Sequence, residues 1–110
     1  MDKNIFDYQD AIERVGDEEL LNELLDDFLE FAHELLIDME KAIKMNDSDR
    51  VKNIGHTLKG TAANLSLGDL SNIGLEIENA GKNDKSDMFT HLHVKLVENV
   101  EDFKKFMEAK

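Results

Sequence analysis

The sequence predicts an all-α fold, an antiparallel up-down four-helix bundle with a short N-terminal lid helix. Three observations point there. Apolar residues recur at three- and four-residue steps over four long segments, the period of a helix with one buried face. The chain has no proline and only six glycines, too few breakers for the many turns of an all-β fold. The segments are separated by short turns, which make consecutive helices antiparallel neighbours. A length of 110 residues suits a single domain, 1–110, around one core.

The lid is expected over about Asp7 to Arg14, closed by Gly16, with Phe6, Ala11, Ile12 and Val15 as its packing residues. Asp17 is a good N-cap for the next helix, and Glu18 and Glu19 suit its positive end. Leu21, Leu24, Leu25, Phe28, Ala32, Leu35, Met39, Ala42 and Ile43 then form one stripe, so this helix is unusually long and runs to about Met45. Asn46-Asp47-Ser48 reads as a turn, with Asp47 or Ser48 capping a third helix striped by Val51, Ile54, Leu58, Ala62 and Leu65. Ser66-Leu67-Gly68-Asp69 resembles a capping box with Asp in place of Glu. It opens a fourth helix carrying Leu70, Ile73, Ile77 and Ala80, for which Gly81 suits the C-terminal cap. Asn83 to Ser86 form a turn, and Phe89, Leu92, Leu96, Val100, Phe103 and Met107 stripe the last helix. Isolated helices of these lengths are marginal in water, so every stripe must be buried for the chain to fold.

Composition removes several classes of function. There is no cysteine, which excludes disulfides and Cys-ligated metal centres. The formal net charge is −12, a field that repels phosphate backbones and anionic lipid headgroups; neither nucleic acid nor a membrane is an expected partner. No apolar run approaches the length of a membrane span. Met1-Asp2-Lys3-Asn4 lacks a basic flank followed by an apolar segment, so a cytoplasmic protein is expected.

The chemistry concentrates on the third helix. In projection its apolar residues cluster within roughly 80°, and His56 lies roughly 160° from their centre. The imidazole should therefore face solvent. Lys52, Lys59, Gly60 and Ala63 share its face. A mid-helix glycine costs about 1 kcal/mol relative to alanine, and nothing in local helix stability accounts for Gly60. It makes sense where another molecule must approach His56 closely, and Ala63 keeps the surface similarly low. A lone surface histidine is usually inert; the combination is what carries information.

The run His56-Thr57-Leu58-Lys59-Gly60-Thr61-Ala62-Ala63-Asn64-Leu65-Ser66 resembles the signature of histidine phosphotransfer domains, His-x-Leu-Lys-Gly followed by small residues and a leucine. The similarity extends through Leu67 to Lys82, and the opening Phe6 to Phe31 resembles the family's short helix and long first bundle helix. The resemblance implies a phosphorelay intermediate. His56 matches the histidine that takes a phosphoryl group from an aspartyl phosphate on a receiver domain and passes it to another receiver aspartate. Lys59 matches the lysine that steadies the phosphoryl oxygens, and Gly60 the small residue over which the receiver docks, beside Lys52 and Ala63. Glu78 stands where some members have a glutamine bonded to the histidine; it either accepts the Nδ1 proton or is a plain solvated glutamate. Lys82 falls where the family often has arginine, and either orients the phosphate or caps its helix. The implied partners are the receiver domains of hybrid histidine kinases and response regulators, and the family is commonly monomeric. No cofactor is implied on this chain, since Mg²⁺ belongs to the receiver.

The chemistry is consistent with that resemblance. A histidine titrates near neutrality and is substantially nucleophilic at cellular pH without a helper base. Phosphoryl transfer asks mainly for in-line positioning and charge stabilisation. No Gly-rich phosphate loop is present, so ATP binding and autokinase activity are not expected. His91 and His93, two apart on a helix, lie on different faces and cannot readily share a metal. Glu30-x-x-His33 is a single occurrence where a di-iron bundle needs two. Two other readings stand beside the carrier: an adaptor bundle that binds partners without phosphate, and the phosphotransfer segment of a larger histidine kinase.

Overall fold

The computed structural model describes residues 5–109, so the Met1–Asn4 end lies outside the described residues. Five α-helices follow one another: α1 (Tyr8–Val15), α2 (Glu18–Lys44), α3 (Ser48–Asn64), α4 (Gly68–Lys82) and α5 (Phe89–Glu108), with one 3-10 turn over Ser86–Met88. No strand occurs among the described residues. The long helices form a closed ring in which α2 packs on α3 and α5, and α4 packs on α3 and α5, while α1 lies on α2. At about 1.5 Å per residue, the 27 residues of α2 account for the 41 Å long dimension of the molecule.

The predicted stripes form the core. Leu21, Leu25, Met39, Leu58, Ile77, Leu96 and Phe103 are fully enclosed, and Phe28 meets Phe103 edge-on at 5.8 Å between α2 and α5. Leu24, Ile43 and Met107 flank this core half-buried. Burying such side chains contributes about 1.5–3 kcal/mol each, which is what holds the marginal helices together.

Aspartates open the first three helices. Asp7, Asp17 and Asp47 accept hydrogen bonds from the backbone N–H of Asp10, Glu19 and Arg50 respectively. Each satisfies an orphan donor at a positive helix end. The expected capping box at Ser66 does not form. The N-cap of α4 is Leu67, without a side-chain bond, because the Ser66 hydroxyl is turned toward α1 instead.

The three turns between the long helices share one geometry. Asn46, Ser66 and Asp84 adopt φ of 51°, 60° and 55°. In each turn the following N–H reaches back to a buried alanine carbonyl: Asp47 to Ala42, Leu67 to Ala62 and Lys85 to Ala80, all at 2.9 Å. These are paired helix-ending bonds of the Schellman type with a left-handed residue that is not glycine. Gly81 is therefore not the C-terminal cap of α4. The left-handed position is Asp84, three residues later, and Gly81 lies inside the helix with its carbonyl accepting from Asp84 N–H at 3.2 Å. Ser48 Oγ donates to Asp84 Oδ1, tying the start of α3 to the end of α4.

Gly81 serves packing instead. α3 and α4 are the most closely packed pair in the molecule, and glycines line their seam. A Cβ on Gly55 would lie 2.2 Å from the Glu78 backbone nitrogen, on Gly74 2.5 Å from that of Lys59, and on Gly81 2.4 Å from that of Lys52. No side chain fits at any of the three, so the backbones touch.

The lid is fastened to the α3–α4 turn. Asp7 N–H donates to Ser66 O at 3.0 Å, Ser66 Oγ donates to Asp10 Oδ2 at 2.5 Å, and Arg14 Nε donates to the same oxygen at 2.9 Å. Phe6 adds an edge-on contact to Phe106 of α5 at 5.7 Å. The Ser66 bond, and then Arg14, hold the Asp10 carboxyl below its ordinary value of 3.8. A carboxyl depressed on folding adds stability above its unfolded pKa and loses it as pH falls through the folded value. The stability advantage of the wild type over Asp10→Asn is therefore expected at neutral pH and should shrink in acid below 3.8. Denaturant melts over a pH series check this, and a gap that stays constant would remove the ionisation of Asp10 from the account.

Candidate functional site

His56 lies in the middle of α3, and its side chain is 70% exposed. It faces outward because Val51, Ile54, Leu58 and Ala62 claim the opposite side of the helix for the core. Gly60 also faces outward: a Cβ placed there meets nothing within 4 Å. Ala63 is exposed one turn further along. The ground beside the ring on α3 is low and open.

The opposite flank of the ring is provided by α4. Glu78, with a side chain only 19% exposed, places Oε2 2.9 Å from His56 Nδ1 and Oε1 2.6 Å from Lys59 Nζ. One carboxylate thus bridges the histidine and the lysine. The glycine seam makes this possible, since Gly55, one residue before His56, rests directly against the backbone of Glu78. The bond from Lys59, and secondarily the one from His56, hold the Glu78 carboxyl below its ordinary range. An ionised carboxylate can only accept, so Nδ1 of a neutral ring carries the proton and Nε2 presents its lone pair to solvent. Ser71 Oγ donates to the Lys59 carbonyl at 3.0 Å, a further tie across the seam.

Lys52 is half-buried beside the seam, where its backbone meets Gly81, and Lys82 is exposed at the end of α4. The structure thus brings His56, Lys59 and Glu78 into direct contact. It places Gly60, Ala63, Lys52 and Lys82 around them without a bond to the ring. Sequence reasoning missed Gly55, Gly74 and Ser71. The available signal was the seven-residue spacing of Gly74 and Gly81, which puts two small residues on one face two turns apart. The other histidines are placed differently. His93 donates from Nε2 to the Leu36 carbonyl at 3.0 Å, His33 is half-buried, and His91 is exposed. No helix among the described residues is long and apolar enough to cross a membrane.

Comparison with solved structures gives the same fold. The chain is similar to histidine-containing phosphotransfer protein B from Pseudomonas aeruginosa PAO1, with a TM-score of 0.88 at 17% identity over 99% of this chain and 95% of that one. It is also similar to the HPT domain of the Hpt sensor hybrid histidine kinase from Shewanella, with a TM-score of 0.74 at 18% identity over 99% and 98% of the two chains. No curated protein matches the sequence. The Hpt domain family model matches residues 23–105, which span α3, α4 and most of α2 and α5. The chain belongs to the Hpt domain family, the histidine phosphotransfer carriers of two-component phosphorelays, whose members interact with receiver domains.

Proposed function

We propose that His56 accepts a phosphoryl group from the aspartyl phosphate of one receiver domain and passes it to the aspartate of another. The observation that carries this reading is the bond between His56 Nδ1 and the ionised Glu78, which leaves Nε2 unprotonated and outward. The Nε2 lone pair forms the N–P bond as the P–O bond to the aspartyl group breaks, and the carboxylate leaves with the electron pair. The Nδ1 proton stays where Glu78 holds it. In the second half the acceptor carboxylate attacks phosphorus, and the N–P electrons return to Nε2.

Lys59 stabilises the transferring group. Its ammonium sits on Glu78 in the unphosphorylated protein, and a rotation of its flexible end brings it to the phosphoryl oxygens while Glu78 keeps the ring in place. Gly60, Ala63 and Lys52 form docking ground, and Lys82 supplies a further cation at the edge. On this reading the protein is a carrier that neither binds ATP nor phosphorylates itself. It works as a cytoplasmic monomer formed by one domain over residues 1–110. It needs no cofactor of its own, Mg²⁺ being held by the receiver, and its donors and acceptors are hybrid kinases and response regulators.

The test is incubation with receiver domains carrying an aspartyl phosphate, followed by mapping of the acid-labile, base-stable label. The label is expected on His56 alone. Lys59→Ala should slow transfer about 100- to 1,000-fold, the scale for losing one charge-stabilising donor, with little change in melting temperature. Unchanged single-turnover rates would remove Lys59 from the mechanism.

A further inference from the structure

Leu75 is 43% exposed in a protein that encloses most of its leucines. It lies four residues after Ser71 and three before Glu78, so the three share one face of α4. Both neighbours reach across the seam to α3, Ser71 to the Lys59 carbonyl and Glu78 to His56 and Lys59. Leu75 therefore stands on the His56 side of the bundle, level with the phosphotransfer site and one helix away from it. The fold gives no internal reason for a leucine there, since the core face of α4 is already made by Leu70, Ile73, Ile77 and Ala80.

We infer that Leu75 is an apolar contact for the receiver domain, extending the docking surface from α3 across the glycine seam onto α4. The inference rests on the proposed transfer between His56 and a receiver. A standard interface covers about 800 Å² per partner, a patch reaching roughly 16 Å from its centre. Neighbouring helix axes are normally about 8–10 Å apart, and this pair is closer than usual because its backbones touch. A protein that presents an aspartyl phosphate in line with Nε2 consequently covers Leu75. The chemistry around it suits such a partner. Lys52 and Lys82, with Lys59 on the Glu78 carboxylate, place cations at this face of a chain of net charge −12, complementary to the anionic aspartyl phosphate that the partner presents. Charged rims set approach and register, while a central apolar side chain holds the complex.

Single-turnover transfer from a phosphorylated receiver domain, measured against receiver concentration, tests this. Leu75→Ser should raise the half-saturating concentration about tenfold, and Leu75→Met, which keeps the apolar reach, should restore it. Leu20→Ser is a matched control, since Leu20 is also 43% exposed but lies at the start of α2; it should leave half-saturation unaltered. Labelling by phosphoramidate, which needs no docking, separates loss of binding from damage to the site. The expected result is a fall in the ratio of receiver-driven to phosphoramidate-driven labelling for Leu75→Ser alone. Unchanged half-saturation in Leu75→Ser, or an equal change in Leu20→Ser, overturns the assignment of Leu75 while leaving transfer through His56 intact. Wild-type protein labelled by phosphoramidate but by no receiver overturns the underlying reading and this inference with it.

Discussion

Gly55→Ala is expected to destabilise the protein by about 1–3 kcal/mol, the ordinary cost of forcing extra volume into a packed interior. The same substitution at Gly60 should stabilise it by up to about 1 kcal/mol. Both glycines are mid-helix, and both gain the same intrinsic helix propensity on becoming alanine. The difference lies in what the new methyl meets. At Gly55 it falls 2.2 Å from the Glu78 nitrogen and 2.6 Å from the Gly74 carbonyl oxygen, while at Gly60 nothing lies within 4 Å. Backbone atoms cannot rotate away as a side chain could, so α3 and α4 must separate. That separation also draws Glu78 away from His56, so Gly55→Ala should disturb the Nδ1 proton resonance of the ring as well as the melting curve. Denaturant unfolding of the two variants side by side makes the comparison. A neutral Gly55→Ala would mean that the helices part at little cost and that the seam does not position Glu78. A destabilising Gly60→Ala would make Gly60 a packing residue rather than open ground.

The glycines also show where sequence reasoning reached its limit. The apolar period located every helix to within a residue or two, because burial of one face is a local pattern that repeats along the chain. Asp17 was legible as a cap, and Asp47 as one of two candidates beside Ser48, for the same reason: an N-cap acts on N–H groups two or three residues away. Asp7 stood only as the start of the lid, and its capping bond to Asp10 N–H is a finding of the structure. Gly60 was legible through its position beside His56. Gly81 was misread because a glycine near a helix end fits both a left-handed cap and a close crossing, and only the partner helix decides. That partner backbone, at Lys52, is distant in sequence. Ser66 failed similarly. Its hydroxyl has a local use in a capping box and a distant one at Asp10, and the distant one prevails because Ser66 takes the left-handed turn position and cannot cap α4. Glu78 stood between two readings for want of a distance. Once the seam fixes α4 against α3, its carboxylate lies between a ring nitrogen and an ammonium.

His56→Gln should abolish labelling by a phosphorylated receiver while leaving helical content and melting temperature close to those of the wild type. The side chain is 70% exposed, so little packing is lost. The glutamine amide can still donate to Glu78 Oε2, which spares the carboxylate an unpaired neighbour. What disappears is the nucleophile, because an amide nitrogen has its lone pair delocalised into the carbonyl and cannot attack phosphorus. Structure and chemistry therefore separate cleanly at this position, which is uncommon for a residue at the centre of a site. Label counting on the intact variant, with circular dichroism on the same sample, provides both readouts. His91 serves as an internal control, being exposed but set in α5, whereas the Glu78 carboxylate bonds His56 and Lys59. If His56→Gln still takes label, at His91 or elsewhere, then exposure alone suffices for phosphorylation and the Glu78-held ring is not the carrier. If labelling is lost together with helical content, His56 has a structural role that its exposure does not reveal. Loss of label from an intact bundle is the outcome that a carboxylate fixing Nδ1–H and freeing Nε2 requires.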